Sequence, residues 1–229
     1  MTGQHGITAR LLALLSVTLA CIGVGCRARG ESERAGPRTT TAEVARDPCS
    51  LSAGRQSLVS VDSIGILDLH RPVAELRCLC PSAHNTTFWG SESSQPAIEF
   101  QLGTVTVLAL QQFGGSGDSL DPAAPADLWA VSGSGAMLPH HLSLASRWRD
   151  VRAVLGDGIG WLELTGVVVE FCDFPRVRFE VRYPPADTMV SGPEKDLSFI
   201  PDDAELARVW VYSGEVLDSQ CEARPARKQ

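Results

Sequence analysis

Two stretches of this chain, QLGTVTV at 101–107 and LTGVVVEF at 164–171, limit its fold more than any others. In each, apolar residues rich in β-branching flank a single glycine, the pattern of two strands joined by a tight turn. Further short Val, Ile, Leu and Phe runs at 57–61, 65–69, 128–131, 177–183 and 208–212 lie between Gly and Pro punctuation. With strands at 97–102, 104–110, 159–164 and 167–172 from the two hairpins, most of the body reads as β-structure. Strands joined by tight turns pair antiparallel.

Only two segments show helical periodicity, and they are alike. LDLHRPVAELRCLCP (67–81) lies over LSLASRWRDVRAVLG (142–156), matching Leu67, Leu69, Val73, Leu76, Leu79 and Cys80 to Leu142, Leu144, Trp148, Val151, Val154 and Leu155. Glu75 and Arg77 match Asp150 and Arg152. Apolar positions 69, 73, 76 and 80 form one stripe, which places Cys80 in the core. Pro72 suits a first helical turn, and Pro81 and Gly156 supply stops. The expected class is α+β: mainly antiparallel strands with two short amphipathic helices. Because each helix precedes a strand-Gly-strand unit, the halves read as two copies of a strand–helix–hairpin module. Chance convergence of two amphipathic helices is the competing reading.

Near the N-terminus, LLALLSVTLACIGVGC fills positions 11–26. Its uncharged part falls short of the ~20 apolar residues needed to cross a bilayer. Arg27, Arg29 and Arg34 follow it and only Arg10 stands close before it, which opposes the charge bias of a spanning anchor with its N-terminus inside. A short apolar core ending in small residues is the pattern of a secretory signal. Gly25-Cys26, followed directly by a polar tether, resembles the end of the signal in bacterial lipoprotein precursors. Gly23 departs from the leucine usual there, and Thr18-Leu19-Ala20-Cys21 is the rival site. The resemblance implies a diacylglyceryl group on Cys26, attachment to a membrane of the cell envelope, and a body facing the periplasm or exterior. It covers the first 26 residues; the body is recognised as no family. The Val151–Gly156 helix ending is similar to that of small outer-membrane assembly lipoproteins, but Ala145 replaces their glycine, and six residues carry no function across.

The expected organisation is a signal at 1–25, a flexible tether at 26–48, α+β halves at 49–125 and 126–221, and a basic tail at 222–229. Between Asp47 and Cys221 there are 23 acidic and 11 basic residues, a net charge of −12. A body this acidic repels phosphate backbones, so nucleic acid is not an expected partner. Cys49, Cys78, Cys80, Cys172 and Cys221 are disulfide candidates in an exported chain. The expected bridges are Cys49 with Cys78 or Cys80, and Cys172 with Cys221. An odd count leaves one cysteine unpaired or bonded to another molecule.

Several motifs invite chemistry. GDSL at 117–120 spells the nucleophile motif of serine esterases, yet no histidine follows His141, and the sole asparagine, Asn85, precedes Ser119. It is read as a loop. Cys78, Cys80 and His84 have a zinc-like spacing, but disulfide formation and a buried Cys80 oppose it. Asp118, Asp121 and Asp127 lack the order of a calcium loop. No metal and no cofactor are expected. Four of the five tryptophans, Trp129, Trp148, Trp161 and Trp210, fall in the second half and are expected to fill core with their indole N–H groups satisfied. Phe88 and Trp89, read as part of a polar loop, are the candidates for exposed contact. The chain is therefore expected to be a non-catalytic binding module meeting protein or glycan. The rival is an envelope hydrolase taking its base from His70, His84, His140 or His141.

Overall fold

The computed structural model describes residues 47–49, 56–89, 94–111, 119–163, 166–182, 196–214 and 221. The apolar run with Cys21 and Cys26, the tether as far as residue 46 and the tail 222–229 lie outside the described residues. So do Gly117 and Asp118 of the GDSL stretch.

The elements in chain order are β1 (Ser57–Leu58), β2 (Ser63–Ile64), β3 (Leu67–Asp68), α1 (Val73–Leu79), β4 (His84–Trp89), β5 (Ser94–Leu102), β6 (Val105–Leu110) and β7 (Leu128–Ser132). There follow β8 (Ala136–Met137), a 3-10 turn at Pro139–His141, α2 (Trp148–Leu155), β9 (Ile159–Glu163), β10 (Gly166–Glu170), β11 (Val177–Val181) and β12 (Leu206–Tyr212). Eight strands form one open sheet in the order β4-β5-β6-β7-β12-β11-β10-β9. Every pairing in it is antiparallel. The expected α+β class holds.

The order is two four-stranded meanders, β4 to β7 and β9 to β12, each preceded by its helix and joined edge to edge where β7 meets β12. The first meander thus runs beyond residue 125. Alternate residues of the strands face the helices: Ile98 and Phe100, Val105 and Val107, Trp129 and Val131, Phe179 and Val181, Val209 and Val211 are all buried there. Val73 and Leu76 of α1 and Trp148 and Val151 of α2 are buried in the same core. These are the stripes that helical spacing marked out.

Local chemistry fixes the element ends. Gly103, at φ +62°, makes the turn between Leu102 and Val105, as its place between strands led us to expect. Gly166 differs: it lies within β10 opposite Glu163. Gly133, at φ +104°, passes so close to Thr104 that a Cβ would sit 2.1 Å from the Thr104 carbonyl oxygen. Helix α1 is shorter than the periodic segment, because Leu67–Asp68 is already strand and Pro72 forms the cap.

The stretch HNTTFW is not a loop but β4, paired from His84 against Glu99 to Trp89 against Ser94. Thr, Phe and Trp favour an extended backbone. The strand carries no period-two run of aliphatic residues to mark it in the sequence.

Candidate functional site

Each helix is anchored by the loop that enters the last strand of its own meander. The Val73 N–H donates to the Ala124 carbonyl at 3.0 Å and the Ala74 N–H to Pro122 at 2.9 Å. In the second half the Trp148 N–H donates to Ala204 and the Arg149 N–H to Asp202, both at 2.9 Å. Carbonyls thereby satisfy first-turn amides that a helix cannot bond internally. The two caps make Pro122 and Asp202 positional equivalents, as they do Val73 and Trp148.

A cleft opens beside each cap. The first, about 670 Å³, lies between Val73 and Arg77 of α1, Asn85 to Thr87 of β4, the start of β5, and Ser119, Leu120 and Pro122. The second, about 310 Å³, is bounded by Trp148, Arg152, Gly156 to Gly158 and Asp196 to Ser198. Arg77 and Arg152 occupy matching helix positions but have different surroundings. Arg152 Nη1 lies 3.8 Å from Asp202 Oδ1, and its charge also acts on Asp196. Hydrogen bonds from the Ser198 hydroxyl and backbone N–H, with Arg152 assisting, hold Asp196 below the usual carboxylate range. Arg77 Nη1 donates to Asn85 Oδ1 at 3.1 Å, and no carboxylate among the described residues pairs with it. The first cleft has arginine, amides and hydroxyls in its lining, but no histidine and no carboxylate among the described residues.

Ser119, the serine of the GDSL stretch read as a loop, lies in a cleft without a described base. His70 is elsewhere: its Nε2 donates to Asp62 Oδ1 at 3.1 Å, while Arg176 Nη2 lies 3.5 Å from the same oxygen. The His70 bond, with Arg176 adding to it, holds the Asp62 carboxyl below its usual range. His140 and His141 occupy successive left-handed backbone positions, φ +60° and +63°, an arrangement that non-glycine residues adopt at some cost. The His140 ring meets Phe174 edge-on at 5.5 Å. His84 starts β4 with its side chain exposed.

Among the described residues two bridges are seen, Cys49–Cys80 with Cα atoms 5.4 Å apart and Cys172–Cys221 at 5.0 Å. This selects Cys80 over Cys78 for the first pair. Cys78 is exposed on α1. Bridged, Cys80 is no zinc ligand. Asp47 lies beside this bridge, but its carboxylate accepts the N–H groups of Cys49 at 2.9 Å and Ser82 at 3.2 Å. Asp121 Oδ1 accepts the Ala123 N–H at 2.9 Å, a turn contact.

The sheet face away from the helices carries a second aromatic group. Trp210 Nε1 donates to Glu180 Oε2 at 3.1 Å, and the Arg208 guanidinium lies 5.2 Å from the Trp210 ring and 5.3 Å from Phe88. Arg178 lies 5.0 Å from Trp161 and 5.1 Å from Tyr212. Of the two exposed-contact candidates, Phe88 is half-buried in this group, whereas Trp89 is 77% exposed. Trp129 is buried with its N–H donated to Ala126 at 3.3 Å, while the buried Trp148 Nε1 has no hydrogen-bond partner among the described residues.

These features define an α+β protein with one antiparallel sheet of eight strands, two helices on one face and a polar cleft beside α1. No protein-family model and no curated protein matches the chain. Among solved structures it is similar to the uncharacterized protein yfeY from Escherichia coli, with a TM-score of 0.46 and 10% identity, covering 68% of this chain and 99% of that one.

Proposed function

We infer that this chain is a lipid-anchored protein of the bacterial cell envelope whose body is a non-catalytic binding module for protein or glycan. The observation that carries the reading of the body is the lining of the larger cleft: it offers groups that hold a ligand but, among the described residues, none that activates Ser119. The described histidines lie apart, on Asp62, against Phe174 and at the start of β4, which weakens the hydrolase alternative. Two disulfides fit an oxidising compartment. The anchor rests on the brief apolar run ending at Cys26, with Cys21 as the alternative; no helix among the described residues is long and apolar enough to cross a membrane. The acidic balance of the body disfavours nucleic acid.

The two halves are read as a duplicated unit. The matching helix starts, the paired carbonyl caps and the mirrored meanders support this. The repeated unit is then a helix with a four-stranded meander. The two glycine-marked hairpins sit at different places within it, β5–β6 in one half and β9–β10 in the other.

Detergent-phase partitioning and intact mass of membrane-extracted protein test the anchor. The wild-type chain is expected in the detergent phase at a mass raised by acylation, and Cys26→Ser in the aqueous phase. A Cys26→Ser protein of unchanged partitioning and lipid mass would remove the assignment.

A further inference from the structure

We propose that the outer edge of β4 and the cleft beside it take up an extended acidic peptide, which adds to the sheet as a ninth strand and sets a carboxylate against Arg77. This rests on the reading of the body as a binding module and names the partner class. Three observations converge on it.

First, β4 ends the sheet order, and no backbone bond joins its outer side to another described segment. Edge strands are commonly protected by charge, proline or a short length. HNTTFW has six residues, no lysine, no acid and no proline. Its unpaired edge amides and carbonyls are what strand addition uses for affinity, with neighbouring pockets giving selectivity.

Second, the cleft opens between α1 and the β4–β5 pair, with Val73, Arg77, Asn85 to Thr87, Ser119 and Leu120 in its lining, so it adjoins the strand that ends the sheet order. Six residues of strand match an occupant of about six residues, roughly 20 Å long.

Third, the molecule contains its own control. In the second half the equivalent arginine, Arg152, is met by Asp202, with Asp196 close by, and that cleft has less than half the volume. The position equivalent to Asp202 is Pro122, which carries the same helix-capping carbonyl but no carboxylate. One arginine is neutralised from within; the other is left to a visiting acid in a cleft with no acid among its described lining residues. A charge-assisted bond of this kind both holds and orients its partner.

The test pans a displayed library of random twelve-residue peptides against the full chain extracted in detergent, with retention on peptidoglycan sacculi measured in parallel. Enriched peptides are expected to carry an acid within alternating β-branched residues and to slow hydrogen exchange at alternate amides of β4. Their affinity is expected to fall about tenfold or more in Arg77→Glu and in Pro122→Asp. Replacing the peptide's acid by lysine is expected to restore binding to Arg77→Glu. Both positions lie on the surface of the cleft, and circular dichroism verifies that the variants are folded. Enriched peptides indifferent to both variants would refute strand addition and leave the binding-module reading standing. So would no enrichment with retention on sacculi. Neither enrichment nor retention would refute both.

Discussion

Phe88 of β4 and Trp210 of β12 meet edge to face with ring centroids 5.3 Å apart, although their strands lie four places apart in the sheet. In a flat sheet four spacings amount to roughly 19 Å. The sheet therefore curls toward its helix-free face until the edge strand reaches back over the seam between the meanders. Small residues between them, Ala97 and Ala130, are buried under the contact with Leu110 and Leu128. Curling shelters this second face without a layer of helices.

This contact predicts coupling between the two rings. Phe88→Ala and Trp210→Ala are each expected to lower unfolding free energy, and a double-mutant cycle in urea is expected to give about 0.5–1.5 kcal/mol of interaction. Additive effects would mean that the curl is held by the backbone alone.

The charged residues on the same face predict a larger loss. Arg178 is 8% exposed and lies 3.7 Å from Glu170, which is fully buried, while also stacking between Trp161 and Tyr212. Arg178→Met removes the cation from a buried acid and is expected to cost about 3–5 kcal/mol. Adding Glu170→Leu is expected to recover part of that loss. Chemical denaturation of both variants measures it.

The two buried tryptophans are expected to respond differently to the same change. Trp129→Phe loses the bond donated to Ala126 and is expected to destabilise by about 1–2 kcal/mol. Trp148→Phe deletes a donor without a partner, so its stability is expected within about 1 kcal/mol of wild type. Equal losses at the two positions would contradict the hydrogen-bond assignment.

Both disulfides are expected to remain when the exported chain is mapped by proteolysis without reduction, as linked peptides holding Cys49 with Cys80 and Cys172 with Cys221. Replacing either pair by serine is expected to cost about 2–5 kcal/mol. A Cys49–Cys78 peptide in place of Cys49–Cys80 would overturn the first pairing.

Asp62 gives a pH prediction. Its folded carboxyl is held below the usual value, chiefly by the bond from His70. Such a group stabilises the fold above the ordinary carboxylate range and loses that contribution as pH falls through the lowered value. Asp62→Asn is expected to lose that contribution at neutral pH and to converge with wild type below the lowered value, which flattens the acid window. Titration of the Asp62 carboxyl carbon by NMR checks the direction directly.

The strands and helices were largely legible because each depends on neighbours in sequence. Period-two runs of Val and Phe in β5, β6, β10 and β11 and the 3.6-residue stripe through Val73 and Leu76 need no distant partner to be recognised. The resemblance between the two helices was legible for the same reason, as was the pairing of Arg77 with Arg152. Strand β4 was missed because its single sheet neighbour leaves His, Asn and Thr acceptable at alternate positions. Of the site, the sequence marked Phe88, Trp89 and Ser119 as isolated residues and gave no sign of the cleft that Arg77, Asn85 and Ser119 share.

What the sequence decided by itself was local: most of the segments that are strand or helix, and the turn at Gly103. Only tertiary structure decided that β7 lies against β12, that Phe88 reaches Trp210, and that Asp202 answers Arg152 while Pro122, in the equivalent place, offers Arg77 no carboxylate. These relationships join residues some 45 to 120 positions apart, and their energies depend on sheet curvature and on the path of two capping loops, which no periodicity encodes.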